Sequence, residues 1–139
     1  MKKYIIITLL LTSVLFASAQ QNNKALHIQR FGSVTGLEPE KLAYYQKLHA
    51  NVWPAVLKRI KDCHIQNYSI YLQKIQDKYY LFSYFEYVGS DFAGDMKKMA
   101  DDPITQRWWK ETDPCQQPLP EAAAQKKIWT NMKEVFHQD

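Results

Sequence analysis

A chain of 139 residues with 46% hydrophobic residues and a formal net charge of +4 is long enough for one packed domain and leaves little room for a second. Its Lys and Arg are scattered among acids and form no basic stripe, so the charge does not argue for a nucleic-acid partner. His27, His64 and His137 lack the spacing of a metal motif, and Gly32, Gly36, Gly89 and Gly94 make no phosphate loop.

The chain opens with the basic Met1-Lys2-Lys3, continues with an almost wholly apolar run over residues 5–16, and reaches the small residues Ala17-Ser18-Ala19. This pattern predicts a signal peptide over residues 1–19 and a periplasmic or secreted product whose domain spans residues 25–139. The run is shorter than the roughly 20 apolar residues of a spanning helix, so no membrane association is expected after cleavage. Cys63 and Cys115 are the only cysteines. An oxidising compartment permits a bridge between them, but the required Cα separation is not readable from sequence.

In chain order, residues 25–34 read as a strand, Thr35-Gly36 as a turn, and Glu38-Pro39-Glu40 as the opening of a helix. Leu42, Tyr45, His49, Val52, Trp53, Val56, Leu57 and Ile60 form its inward stripe at three- and four-residue spacing. Pro54 interrupts that stripe and predicts a kink after His49. Residues 65–73 and 79–88 read as a hairpin, with Tyr68, Ile70 and Leu72 on one face and Asn67, Ser69 and Tyr71 on the other. A helix over residues 91–100 follows. Asp102-Pro103 supplies an N-cap and a first-turn proline for a further short helix. Residues 113–120, with three prolines, read as a loop, and residues 128–137 as a last strand.

The order β-α-β-β-α-β predicts an α+β ferredoxin-like split βαβ: an antiparallel sheet with its helices on one side. The other face, mixed and aromatic, then needs cover. A second copy would supply it as a dimeric α/β barrel, so a homodimer is expected.

Tyr45 and His49, four apart, share one helical face, so a phenol and an imidazole point into one space. Tyr68 lies across from them, and Trp108 and Trp109 offer aromatic faces for stacking on a small ring. Adjacent helical residues diverge by about 100°, so the two indoles do not serve equally. A lone His on an apolar helical face is more often a core residue than a catalyst, and Tyr and Trp at helical spacing usually pack. The residues alone thus define a small exported α+β protein with an aromatic, His-containing pocket.

The run Tyr45-x-x-x-His49-x-x-x-Trp53-Pro54, the strand Asn67-Tyr68-Ser69-Ile70-Tyr71-Leu72, Glu86, Gln106-Arg107-Trp108-Trp109 and Glu134-Val135-Phe136 occur in that order. This ordered set, over residues 26–136, resembles the L-rhamnose mutarotase family. The resemblance implies a dimeric barrel, no cofactor, a monosaccharide substrate, and interconversion of the α and β anomers of a deoxy sugar. It makes His49 the acid/base residue and Tyr45, Tyr68, Trp108 and Trp109 the sugar contacts. On that basis His49 is expected to donate a proton to the ring oxygen, with a Tyr hydroxyl or a water in the complementary role. The export signal departs from cytoplasmic members. The loop over residues 112–120 is an elaboration near the tryptophans that leaves L-fucose or another 6-deoxyhexose as an alternative substrate. Two rival readings accompany this one: an oxygenase of small aromatic substrates on the same barrel, and a sugar-binding module without turnover.

Overall fold

A computed structural model describes residues 28–138. The expected signal peptide and the first residues of the expected opening strand lie outside the described residues. The strand β1 runs over Gln29–Leu37, three residues further along than the sequence suggested. After a 3₁₀ turn over Pro39–Lys41, the expected long helix is two helices, α1 (Leu42–Ala50) and α2 (Pro54–Asp62). Pro54 therefore ends one helix and begins another. Trp53 before it is extended, at φ −61° and ψ 130°, as a residue preceding proline prefers, and the proline sits where the missing N–H has no helical partner to lose.

The hairpin pairs β2 (Ile65–Ile75) with β3 (Lys78–Tyr87). Helix α3 (Phe92–Asp101) is capped by Asp91, whose carboxylate accepts the Gly94 N–H at 2.9 Å. Helix α4 (Pro103–Thr112) is capped by Asp102, which accepts the Thr105 N–H at 2.8 Å and its hydroxyl at 2.9 Å. The N-cap read from Asp102-Pro103 is thus present.

The last part of the chain departs from expectation. Only Thr130–Met132 (β5) pairs as a strand within residues 128–137. The proline-rich loop contains a two-residue strand, β4 (Gln116–Gln117), and is followed by a short helix, α5 (Pro120–Ala124). β4 pairs antiparallel with Gly36 and Leu37, and β5 pairs antiparallel with Gly32 to Val34. Together they make one strand's worth of ladder along β1, interrupted by residues 118–129. Thr35 bridges the gap: its hydroxyl donates to the Ile128 carbonyl at 2.9 Å and lies 3.4 Å from that of Gln117. Gly36 permits the close approach, since a Cβ there would stand 2.6 Å from the Gln117 carbonyl oxygen.

The sheet order is β2-β3-β1-β4, with β5 also on β1 and every pairing antiparallel. This is the expected ferredoxin-like arrangement of a mixed α and β chain. One face packs on the helices: Phe31 stacks on Phe85 at 4.9 Å and on Phe92 of α3 at 4.5 Å. Leu37, Tyr45, Leu81 and Cys115 form a core cluster at the other end, with Leu42, Ile70, Tyr79 and Trp129 packed against it. By strand alternation the opposite face presents Tyr71, Ile75 and Met132, all exposed. Cys63 and Cys115 are both buried and unbridged. Burial raises both thiol pKa values, which disfavours the nucleophilic thiolate.

Candidate active site

The cleft between α1 and the helix-facing side of the sheet holds a cavity of about 240 Å³, lined by Leu37, Tyr45, Gln46, His49, Ile70, Leu72 and Leu81. That volume is below the roughly 300–1,000 Å³ of drug-sized pockets and suits a smaller ligand. Four of the lining residues are apolar and come from β1, β2 and β3; the polar groups come from α1. A second hollow, about 190 Å³ beneath Gln117 to Pro120, is lined mainly by prolines, tyrosines and backbone, with Lys78 its one cationic side chain. It holds no paired acid and base.

On α1 the four-residue spacing brings the Tyr45 and His49 rings into a stack 4.1 Å apart at an interplanar angle of 27°. Tyr45 is 4% exposed. The Nδ1 of His49 lies 3.0 Å from the Tyr45 carbonyl oxygen. A carbonyl only accepts, so Nδ1 carries the proton and the neutral ring keeps its lone pair on Nε2. Burial lowers the His49 pKa, and the bond to the Tyr45 carbonyl offsets this in part. The ring is therefore neutral at pH 7, with Nε2 a proton acceptor.

Burial raises the Tyr45 pKa strongly, with smaller contributions from the neighbouring Tyr68, Cys115 and Asp113. Tyr68, on β2, is 44% exposed and not among the cavity-lining residues; its ring meets Phe85 edge-on at 5.6 Å, and burial raises its pKa as well. Both phenols stay protonated at neutral pH and are available as hydrogen-bond donors. Neither hydroxyl is hydrogen-bonded within the described residues.

Of the paired tryptophans, α4 brings one to the histidine. Trp108, 6% exposed, meets the His49 ring edge-on at 5.3 Å and Trp53 at 5.3 Å. Trp53 in turn carries the Arg107 guanidinium over its ring at 5.4 Å. Trp109, 36% exposed, lies on the next position around the helix and is not among the cavity-lining residues. Tyr44 ties α1 to the end of α4 by donating to Glu111 at 2.6 Å.

Sequence reasoning passed over Gln46, the apolar lining from Leu37 and Leu81, and Asp113. Gln46 follows Tyr45 directly, and a polar residue beside a helix's inward stripe was the available signal. Asp113 is half-buried, and burial raises its carboxyl pKa. Its nearness to Tyr45 depends on the turn after α4 and left no trace in spacing.

A neutral imidazole stacked on a protonated phenol over an apolar floor, set between helix and sheet of a ferredoxin-like domain, makes a candidate small-molecule site with a group able to accept a proton. Comparison with known proteins gives this class a family. A family model described as L-rhamnose mutarotase matches residues 30–138, and the chain belongs to the L-rhamnose mutarotase family. It is 31% identical over 112 residues to an L-rhamnose mutarotase of Oceanobacillus iheyensis, covering 81% of this chain and all of the relative. It is 28% identical over 112 residues to that of Bacillus subtilis, with the same coverage. A crystal structure of an L-rhamnose mutarotase from Formosa agariphila superposes with a TM-score of 0.59 at 22% identity, covering 80% of this chain and 99% of that one; this likeness speaks to the fold.

Proposed function

We propose that this protein catalyses interconversion of the α and β anomers of L-rhamnose, with His49 as the proton-transfer residue and Tyr45, Tyr68, Trp108 and Trp109 around the sugar. The observation that carries the proposal is the His49 ring, stacked on Tyr45 and tethered through Nδ1 so that Nε2 is left to accept. Ring opening removes the anomeric hydroxyl proton and delivers a proton to the ring oxygen as the C1–O bond breaks. Rotation about C1–C2 turns the other carbonyl face, and closure reverses both transfers. The lowered His49 pKa favours His49 as acceptor of the anomeric proton, while the raised phenol pKa values keep Tyr45 and Tyr68 protonated as hydrogen-bond donors to the sugar rather than acids. The proton that reaches the ring oxygen therefore comes from a bound water or from His49 once it carries the anomeric proton. In this reading His49 supplies the basic half of the step in the resting protein and the acidic half once it carries the proton. The apolar floor of Ile70, Leu72 and Leu81 suits the methyl group and C–H face of a 6-deoxyhexose.

The working form in this proposal is an exported homodimer. The basic start, apolar run and Ala17-Ser18-Ala19 support export to the periplasm or outside the cell. The exposed Tyr71, Ile75 and Met132 on the helix-free face support a second copy there. So do Val135 and Phe136, which are 89% and 79% exposed beyond the end of β5.

Saturation-transfer NMR on purified protein, with L-rhamnose, L-fucose and D-galactose in parallel, tests the activity and the substrate together. L-rhamnose is expected to show the largest gain in anomer exchange. Tight sugar binding with no exchange above the uncatalysed rate would end the proposal.

A further inference from the structure

The buried Ile65 pairs with Tyr87, while Ile70 and Leu72, five and seven residues later, line the cavity. Tyr68 meets the inward-facing Phe85 edge-on at 5.6 Å. In a regular strand, residues 65 and 68 point to opposite faces. Both face the helices here because β2 carries a bulge: Gln66 pairs with Glu86 and Ser69 with Tyr84, so Asn67 and Tyr68 together stand opposite the single Phe85. The extra residue is Asn67, at φ +50°, a left-handed conformation that Asn tolerates better than most side chains.

One carboxylate on the outer face gathers the polar groups around this irregularity. Glu86 Oε2 accepts from the Asn67 side-chain amide at 2.7 Å and from that of Gln66 at 2.9 Å, and Oε1 accepts the Tyr84 hydroxyl at 3.0 Å. Its three donors come from residues on both sides of the bulge and from the bulged residue itself. We infer that Glu86 is a positioning residue for the sugar site: by holding Gln66 and Asn67 it fixes the bulge that turns Tyr68 toward Tyr45 and His49. Glu86 touches no part of the cleft and acts through the parity of the strand. Its carboxyl pKa is held below the usual range by Gln66, Tyr84 and Asn67, so the acceptor stays charged at neutral pH. The inference deepens the proposed function and rests on Tyr68 contacting the sugar.

The test combines kinetics with a signal that reports Tyr68 directly. In protein labelled with fluorotyrosine, the ¹⁹F resonance of Tyr68 is the one lost in Tyr68→Phe, and that of Tyr45 is identified likewise. Glu86→Ala is expected to shift or broaden the Tyr68 resonance while leaving that of Tyr45 in place, and to raise KM by about tenfold with a smaller change in kcat. In a Tyr68→Phe background the same substitution should have little further effect. Glu86→Gln is expected to restore the parental behaviour, because an amide oxygen accepts both side-chain donors and its NH₂ can donate to the Tyr84 oxygen. Should Glu86→Ala fail to fold, Asn67→Gly keeps the left-handed backbone, loses the clamp at its shortest bond, and is expected to move the same resonance. An unmoved Tyr68 resonance in the folded variants, or equal losses with and without the Tyr68 hydroxyl, would overturn the inference. Unchanged kinetics in Tyr68→Phe alone would instead defeat the reading of Tyr68 as a sugar contact, with the ¹⁹F signal still deciding what Glu86 does.

Discussion

The two walls of the cleft place their chemistry by different means. On α1, Tyr45 and His49 meet because 3.6 residues complete a turn, and the hydrogen bond that fixes the imidazole runs to the backbone of the same helix. On β2, Tyr68 faces inward only because the strand breaks its own alternation at Asn67. The helical wall is self-contained; the strand wall depends on Gln66, Asn67, Tyr84 and Glu86 on the far side of the sheet. A local period tolerates surface change, whereas a bulge held by side chains is exposed to it. In the proposed function the base sits on the self-contained wall and a binding contact on the dependent one.

The largest expected effect breaks the helical wall. His49→Ala removes the acceptor and is expected to lower anomer exchange by about 10²–10⁴-fold while the protein stays folded. Saturation transfer with L-rhamnose measures this. A folded variant exchanging at the parental rate would leave α1 no catalytic part and shift attention to Asp113 beside Tyr45.

Next come the tryptophans, which separate support from contact. Trp108 is buried between His49 and Trp53, so Trp108→Ala should cost about 3–5 kcal/mol of stability through the cavity it leaves. Trp109→Ala, from a position 36% exposed, should cost well under half of that, and any loss of sugar affinity it shows would report direct contact. Chemical denaturation of both variants, followed by titration with L-rhamnose, makes the comparison. Equal destabilisation would mean that both indoles belong to the core.

The same contrast explains what could be read in advance. The α+β order, the Asp102 cap and the Tyr45–His49 pairing were legible because each follows from a period or a capping rule within a few residues. Pro54 was seen as a kink but ends the helix outright, since Trp53 before it takes an extended backbone. The inward face of Tyr68 was assigned correctly by counting back from Ile70 and Leu72. The bulge was not, though Ile65 and Tyr68 on one side already break a two-residue period. The split final strand was illegible for another reason. Whether Gln116 and Gln117 or a later segment completes the ladder on β1 is decided by Thr35 and Gly36, some 80 residues earlier, and no local pattern carries that distance.

On the strand wall, Tyr68→Phe removes one hydroxyl donor and keeps the ring against Phe85. It is expected to weaken exchange by about 0.5–1.5 kcal/mol, up to roughly tenfold, with little change in stability. A loss as large as that of His49→Ala would make Tyr68 a partner in proton transfer and erase the division between the walls.

The smallest effect is the one that fixes the sign of the chemistry. Burial holds the His49 pKa below its ordinary value, near 6.5 in exposed peptides. If Nε2 accepts the anomeric proton, exchange should rise with pH through a midpoint below that value and then level off. An obligate acid in the resting protein would give the reverse, a rate falling as pH rises. Stability must move in the same direction. Between the folded and unfolded midpoints the unfolded chain binds the additional proton, so stability climbs with pH across that window and is lost on acidification, by at most about 1.4 kcal/mol per pH unit. His49→Ala should remove this slope, while carboxylates such as Glu86 and Asp95, held below their usual range by hydrogen-bond donors, keep theirs at lower pH. A parental slope surviving in His49→Ala would place the titration on another group.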